Sequence, residues 1–129
     1  MHSVPRILLV EPDDQTRGAL EAAASPHAHV ESFRDFESAR ARLPQAPFDF
    51  LVTNVRLHAY NGLQLVYLSS YGRPAPRAIV YSDEPDPWLA REAERTGALY
   101  DVASSVPVTL AACLTETVRS RVAARISTP

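Results

Sequence analysis

Apolar and polar positions follow two alternating patterns along the chain. Five short runs, "RILLV" (6–10), "HVESF" (29–33), "FDFLVT" (48–53), "RAIVYS" (77–82) and "ALYDVA" (98–103), have the length and the Val, Ile, Leu and aromatic content of strands. The run 48–53 is apolar nearly throughout, which predicts a strand covered on both faces. Between the runs the spacing becomes helical. Leu20, Ala23 and Ala24 face one way in 14–24, with Asp13 or Asp14 as the cap. Phe36, Ala39 and Leu43 repeat the pattern in 35–43 behind Asp35, and 62–70 carries Leu63, Leu65, Val66 and Leu68. In "DPWLAREAERTG", Asp86 caps, Pro87 fits the first helical position and Gly97 terminates. The last helix, about 107–126, has Leu110, Leu114, Val118, Val122 and Ile126 at intervals of four. That spacing predicts one apolar stripe, and Arg119, Arg121 and Arg125 near its end suit the helix dipole.

Strand and helix alternate five times, which predicts a parallel sheet with helices on both faces. The 129 residues suit one domain spanning 1–129. The Pro-rich turns "LPQAP", "GRPAP" and "DEPDP" are too short to be interdomain linkers.

Composition narrows the function. At 46% hydrophobic and 22% charged residues the chain is an ordinary globular domain. It has no run of the ~18 apolar residues that a membrane span needs. "MHSVPRILLVEPDD" lacks the apolar core and cleavage site of a secretory signal, so the expectation is cytoplasmic, with no membrane contact. The single cysteine, Cys113, excludes an internal disulfide and a multi-Cys zinc site, and its place in an apolar helical pattern predicts a small core residue. A net charge of -2 offers no basic field for nucleic acid. All 13 basic residues are arginine. Any mechanism that requires a lysine ammonium is therefore absent.

In an open α/β sheet, ligands bind beyond the carboxyl ends of the strands. The residues collected there are Glu11, Pro12 and Asp13, then Asn54, then Ser82 and Asp83, then Ser104 and Ser105. Here the chain resembles the response regulator receiver domains over nearly its whole length. "ILLVEPDD" with Arg17 is similar to their acidic strand-1 end, and "FDFLVTNVRLHAYNGLQLV" to the stretch around their phosphoacceptor, with Gly62 as the turn glycine. "AIVYSD" is similar to the strand ending in a switch Ser/Thr, and "GALYDVASSV" to the run leading to a Lys-Pro pair. The resemblance implies a doubly wound (βα)5 flavodoxin-like fold, strand order 2-1-3-4-5.

It also implies a chemistry that this chain departs from. Receivers accept a phosphoryl group on an aspartate, with a divalent cation and a lysine offsetting the charge. The acceptor position is Asn54, whose amide cannot form an acyl phosphate. The acid pair falls on Glu11 and Pro12, so one carboxylate remains; magnesium wants hard oxygen ligands, and none is expected to bind. The lysine falls on Ser104 and its proline on Ser105. Position 58, often proline in the family, is His58. The switch hydroxyl is kept as Ser82. The switch aromatic falls on Asp101, or on Tyr100 with a one-residue shift. The leftover Glu11 would prefer a partner, and Arg56 or another nearby arginine is the expected one.

Other chemistries find little support. His2, His27, His29 and His58 are scattered without metal-ligand spacing. "IVYSD" lacks the glycines of a nucleophile elbow, and "YNG" is no phosphate-cradling loop. "EPDDQTR" is acidic where a flavin-binding loop would meet a phosphate. Trp88 lies about 100° from Leu89 on its helix, so it is expected at a surface edge, where aromatics anchor interfaces. By resemblance, partners or a second copy would dock on the face made by helix 4, strand 5 and helix 5, through Trp88, Arg95 and Tyr100. The expected function is a non-enzymatic, phosphorylation-independent pseudo-receiver that binds protein partners in bacterial signalling. The alternatives are a receiver-like sensor of a small ligand or of a modification other than on aspartate, and a flavodoxin-like enzyme.

Overall fold

The computed structural model describes residues 4–72 and 74–127. Five strands, β1 (Arg6–Val10), β2 (His29–Phe33), β3 (Phe50–Asn54), β6 (Arg77–Ser82) and β7 (Leu99–Val102), form one sheet in the order β2-β1-β3-β6-β7, and every neighbouring pair is parallel. Two further strands, β4 (Arg56–Leu57) and β5 (Tyr60–Asn61), make a small antiparallel ribbon between β3 and the next helix. With that ribbon set aside, the order is the expected 2-1-3-4-5.

The helices are α1 (Asp14–Ala24), α2 (Phe36–Arg42), α3 (Gly62–Ser69), α4 (Pro87–Arg95) and α5 (Val106–Ser127). Short 3-10 turns follow α2, at Leu43–Gln45, and precede α5, at Ala103–Ser105. Both shorten a segment that the sequence pattern extends: α2 stops at Arg42, and β7 covers only Leu99–Val102 of the run 98–103. β3 starts at Phe50, not at 48.

The two-residue period of the strands divides the core into two layers. On β1, Leu8 and Val10 join Leu51 and Val80 beneath Phe36, Leu65 and Leu89, while Ile7 and Leu9 join Phe50 and Ile79 beneath Leu20, Leu110 and Leu114. Helices α2, α3 and α4 thus cover one face, and α1 and α5 cover the other. All five residues of β3 are buried, as its apolar run predicts, and Cys113 is a core residue on the α5 side. The stripe on α5 is only half core: Leu110 and Leu114 are buried, whereas Val118, Val122 and Ile126 are exposed.

Capping fixes where the helices begin, and hence where the strand-end loops lie. Asp13 accepts from Thr16 N, Asp35 from Ser38 N, and Asp86 from Trp88 N and Leu89 N. Asn61 caps α3 in a capping box closed by Gln64. α3 begins so close to β3 that a Cβ on Gly62 would lie 2.3 Å from the carbonyl oxygen of Asn54. Only glycine fits there.

Candidate functional site

The strand ends hold a buried polar network around one carboxylate. Glu11, just past β1, is 2% exposed, and Asn54, the last residue of β3, is 6% exposed. The Asn54 amide donates from Nδ2 to Glu11 Oε1 at 3.0 Å. The Tyr81 hydroxyl, reaching across from β6, donates to the same oxygen at 2.7 Å. The backbone N–H of Asp13 donates to Glu11 Oε2 at 2.9 Å. On its other side Asn54 accepts at Oδ1 from the Arg56 N–H, 2.9 Å away. Each polar atom of the Asn54 side chain therefore has a matched partner, one donor to carboxylate and one acceptor from backbone.

Tyr81 is the functional residue that the sequence reading missed. Its side chain is fully buried on the α1–α5 side, and burial, reinforced by Glu11, pushes its phenol well above the ordinary tyrosine range. It therefore stays a protonated donor. A signal was present in the sequence. A tyrosine inside a strand covered on both faces needs a partner for its hydroxyl.

The expected pairing of Glu11 with Arg56 is not formed. Arg56 is exposed and contributes its backbone N–H to Asn54, and among the described residues no guanidinium meets the Glu11 carboxylate. The physical reason is that three neutral donors already satisfy a carboxylate too deep for Arg56 to reach. Arg17 donates to the backbone carbonyl of Glu11 at 2.9 Å and to Asp14 at 2.6 Å, not to the Glu11 carboxylate.

The remaining strand-end residues form a second cluster, separate from the first. Ser82 is 7% exposed; its hydroxyl lies 2.6 Å from the carbonyl oxygen of Glu84 and is hydrogen-bonded to the Tyr100 hydroxyl. The Asp86 N–H donates to the same Tyr100 hydroxyl at 3.0 Å. On β7, Tyr100 thus faces Ser82, whereas Asp101 turns to the other face and accepts from Thr109 on α5. Ser104 lies exposed on the 3-10 turn, and among the described residues no hydrogen bond ties it to Glu11 or Asn54. His58 is exposed and left-handed, with φ 58°.

The donor set fits magnesium poorly. Pro12 has no ligand atom, Glu11 Oε1 is already occupied by two donors, and Asn54 Oδ1 is taken by the Arg56 N–H. Asp13 is turned away to cap α1; the Thr16 N–H and then the Thr16 hydroxyl hold its carboxyl below the usual range. A single committed carboxylate does not meet the charge and oxygen count that the ion requires. Among the described residues no group of three or more His, Cys, Asp or Glu converges as a metal site, and no helix is long and apolar enough to cross a membrane. A groove of about 610 Å³ lies elsewhere, lined by Leu43, Pro44, Phe48, Leu68 and Tyr71 of the α2 and α3 ends.

Of the residues expected at an interface, Trp88 is 58% exposed at the first turn of α4, while Leu89 and Ala93 pack inward. Arg95 is exposed, with Glu92 3.8 Å away. Tyr100 is only partly exposed, and its hydroxyl is committed to Ser82, so it has no free polar group to offer.

No family model and no curated protein matches the chain. Solved structures do. A signal receiver domain of an HD domain-containing protein from Pseudomonas fluorescens Pf-5 aligns with TM-score 0.80 and 21% identity over 99% of this chain and 96% of that one. A CheY-like receiver domain protein from Methanospirillum hungatei JF-1 aligns with TM-score 0.79 and 18% identity over 92% and 96%. The BeF3-activated receiver domain of DrrB aligns with TM-score 0.78 and 19% identity over 91% and 99%. At such identities the likeness is one of fold, and the chain has the α/β flavodoxin-like fold of response regulator receiver domains.

Proposed function

We propose that the chain is a pseudo-receiver, a non-enzymatic signalling module that binds protein partners without being phosphorylated. The observation that carries this reading is the 3.0 Å hydrogen bond from Asn54 to Glu11. Where a receiver would place an acceptor carboxylate, an amide is used as a donor. Neither of its atoms is a nucleophile toward phosphorus. The cation and lysine that offset transferring charge have no counterparts here: the carboxylate is engaged and the chain has no lysine.

With the pocket closed on itself, function moves to the surface. Trp88 and Arg95 stand exposed on the outer side of α4 and supply an aromatic and a cationic contact for a partner on the face formed by α4, β7 and α5. Tyr100 backs that face from within, through Ser82 and the Asp86 N–H at the start of α4. The module would act in the cytoplasm, without metal, nucleic acid or membrane. The alternative of a small ligand in the altered pocket gains no support, since Glu11, Asn54 and Ser82 are buried and hydrogen-bonded.

Intact-mass analysis of the full chain after incubation with a small phosphodonor and Mg²⁺ tests the reading. The mass should not change. A base-labile phosphate gained at the end of β3 overturns the proposal.

A further inference from the structure

The groove of about 610 Å³ lies where α2 and α3 end, and β3 begins beside it, so it is at the opposite end of the sheet from Asn54. Phe48 is its buried part. Leu43 lines it from the turn after α2, Leu68 from α3, and Tyr71, 85% exposed, from the turn beyond. Pro44, Pro47, Pro74 and Pro76 also line it, and their fixed φ holds the bordering loops in one shape before anything binds. A preformed cavity of this size, mostly apolar with few polar groups, has the form that small-molecule sites take.

The charge at this corner is one-sided. Among the described residues Arg40, in the last turn of α2, is the charged residue of the lining, and no carboxylate pairs with it. The nearby acids are engaged or placed elsewhere. Glu31 accepts from Arg42 at 2.8 Å and from Arg6 at 2.9 Å, and both of those guanidiniums lie over the Phe48 ring. Asp49 is paired with Arg121. Glu37 is in the first turn of α2 and does not line the groove. Arg6, Arg40 and Arg42 therefore stand around Phe48 and its groove against the one carboxylate of Glu31. The negative ends of the α2 and α3 dipoles together offset about one charge, which leaves the corner cationic.

We propose that this groove binds a small amphipathic anion, an aliphatic chain with a single carboxylate head. The chain would lie along Leu43, Phe48, Leu68 and Tyr71, and the head would pair with Arg40. Gln45, also in the lining, offers an amide N–H to the second head-group oxygen. A neutral chain would leave Arg40 without a counter-charge, and a cationic head would meet a like charge. The site uses neither Glu11 nor Asn54, so it does not rest on the pseudo-receiver reading.

Isothermal titration calorimetry of the full chain with decanoate and with decyltrimethylammonium, both below their micelle thresholds, is the test. Wild type should bind decanoate more tightly than the ammonium. Leu68→Asp, on an exposed flank, should weaken decanoate by about tenfold or more. Arg40→Glu should shift the ratio of the two affinities toward the ammonium by about tenfold or more. Trp88→Ala should bind like wild type. Circular dichroism identifies a variant that fails to fold, in which case the other decides. A wild type that binds no decanoate, or binds both amphiphiles equally, overturns the proposal, as do folded variants that bind unchanged. A preference for the ammonium overturns it in favour of an amphipathic cation. A ligand-free dimer in sedimentation velocity that Leu68→Asp abolishes overturns it in favour of a second copy.

Discussion

Asn54 donates to Glu11 across 3.0 Å at the end of β3, and both side chains are buried. The direction of that bond sets the chemistry of the pocket. An amide satisfies a carboxylate without adding charge, whereas a second carboxylate would oppose it.

Asn54→Asp should therefore destabilise the protein near neutral pH by about 1–3 kcal/mol, since it replaces a donor with a like charge in a buried site. The sign with pH follows from the pair. Two facing carboxylates raise the folded-state pKa of one of them above its unfolded value, so the extra proton is held more tightly in the native state. The penalty is small below the ordinary carboxylate range, grows as pH rises through it and levels off above the raised pKa. Urea unfolding of variant and wild type at several pH values reads this directly, and a pH-independent difference would contradict it.

Tyr81→Phe keeps the ring and removes one donor to Glu11. The expected cost is about 1–2 kcal/mol, because a buried carboxylate loses a partner while the packing is preserved. A second readout is specific to the phenol. Tyr81 has its pKa raised by burial and by Glu11, so its contribution to stability is complete below the unfolded tyrosine pKa and is lost only as pH rises above it. In an alkaline absorbance titration one tyrosinate should appear only when the protein unfolds, and that component should be missing in the variant.

Gly62→Ala tests how closely α3 approaches β3. The added Cβ would sit 2.3 Å from Asn54 O and 2.9 Å from Thr53 Oγ1, and the first of these is backbone that cannot swing aside. The expected loss is about 1–3 kcal/mol by chemical denaturation.

His58→Pro would restore a residue often found in receivers at this position, and it should still destabilise. Proline locks φ near −65°, and His58 has φ 58°. The ribbon of β4 and β5 would have to rearrange. The expected loss exceeds about 1 kcal/mol, measured as a lowered melting temperature. His58→Gly, which removes the steric cost of the left-handed conformation, should melt at or above wild type.

The fold was legible because each strand run and each helix keeps its own period, and because Asp13, Asp35, Asp86 and Pro87 mark helix starts by local chemistry. The β4–β5 ribbon was not legible, since strands of two residues carry no period. The α5 stripe was half right for a geometric reason. Residues four apart drift by about 40° per step around a helix, so a row that starts in the core rotates out of it by Val118. At the site, the loss of an acceptor could be read from Asn54 alone. The partner of Glu11 could not, because the hydroxyl that reaches it comes from Tyr81, which is 70 residues away in the chain. Local reasoning placed a nearby arginine there instead.

The chain contains one tryptophan, and it stands at the outer start of α4, on a helix whose cap residue, Asp86, donates its N–H to the Tyr100 hydroxyl. Intrinsic fluorescence is therefore a single-site reporter that needs no label. A ligand seated over α4 should change its emission and its access to a collisional quencher, while an event confined to the far side of the sheet should leave the spectrum as it was.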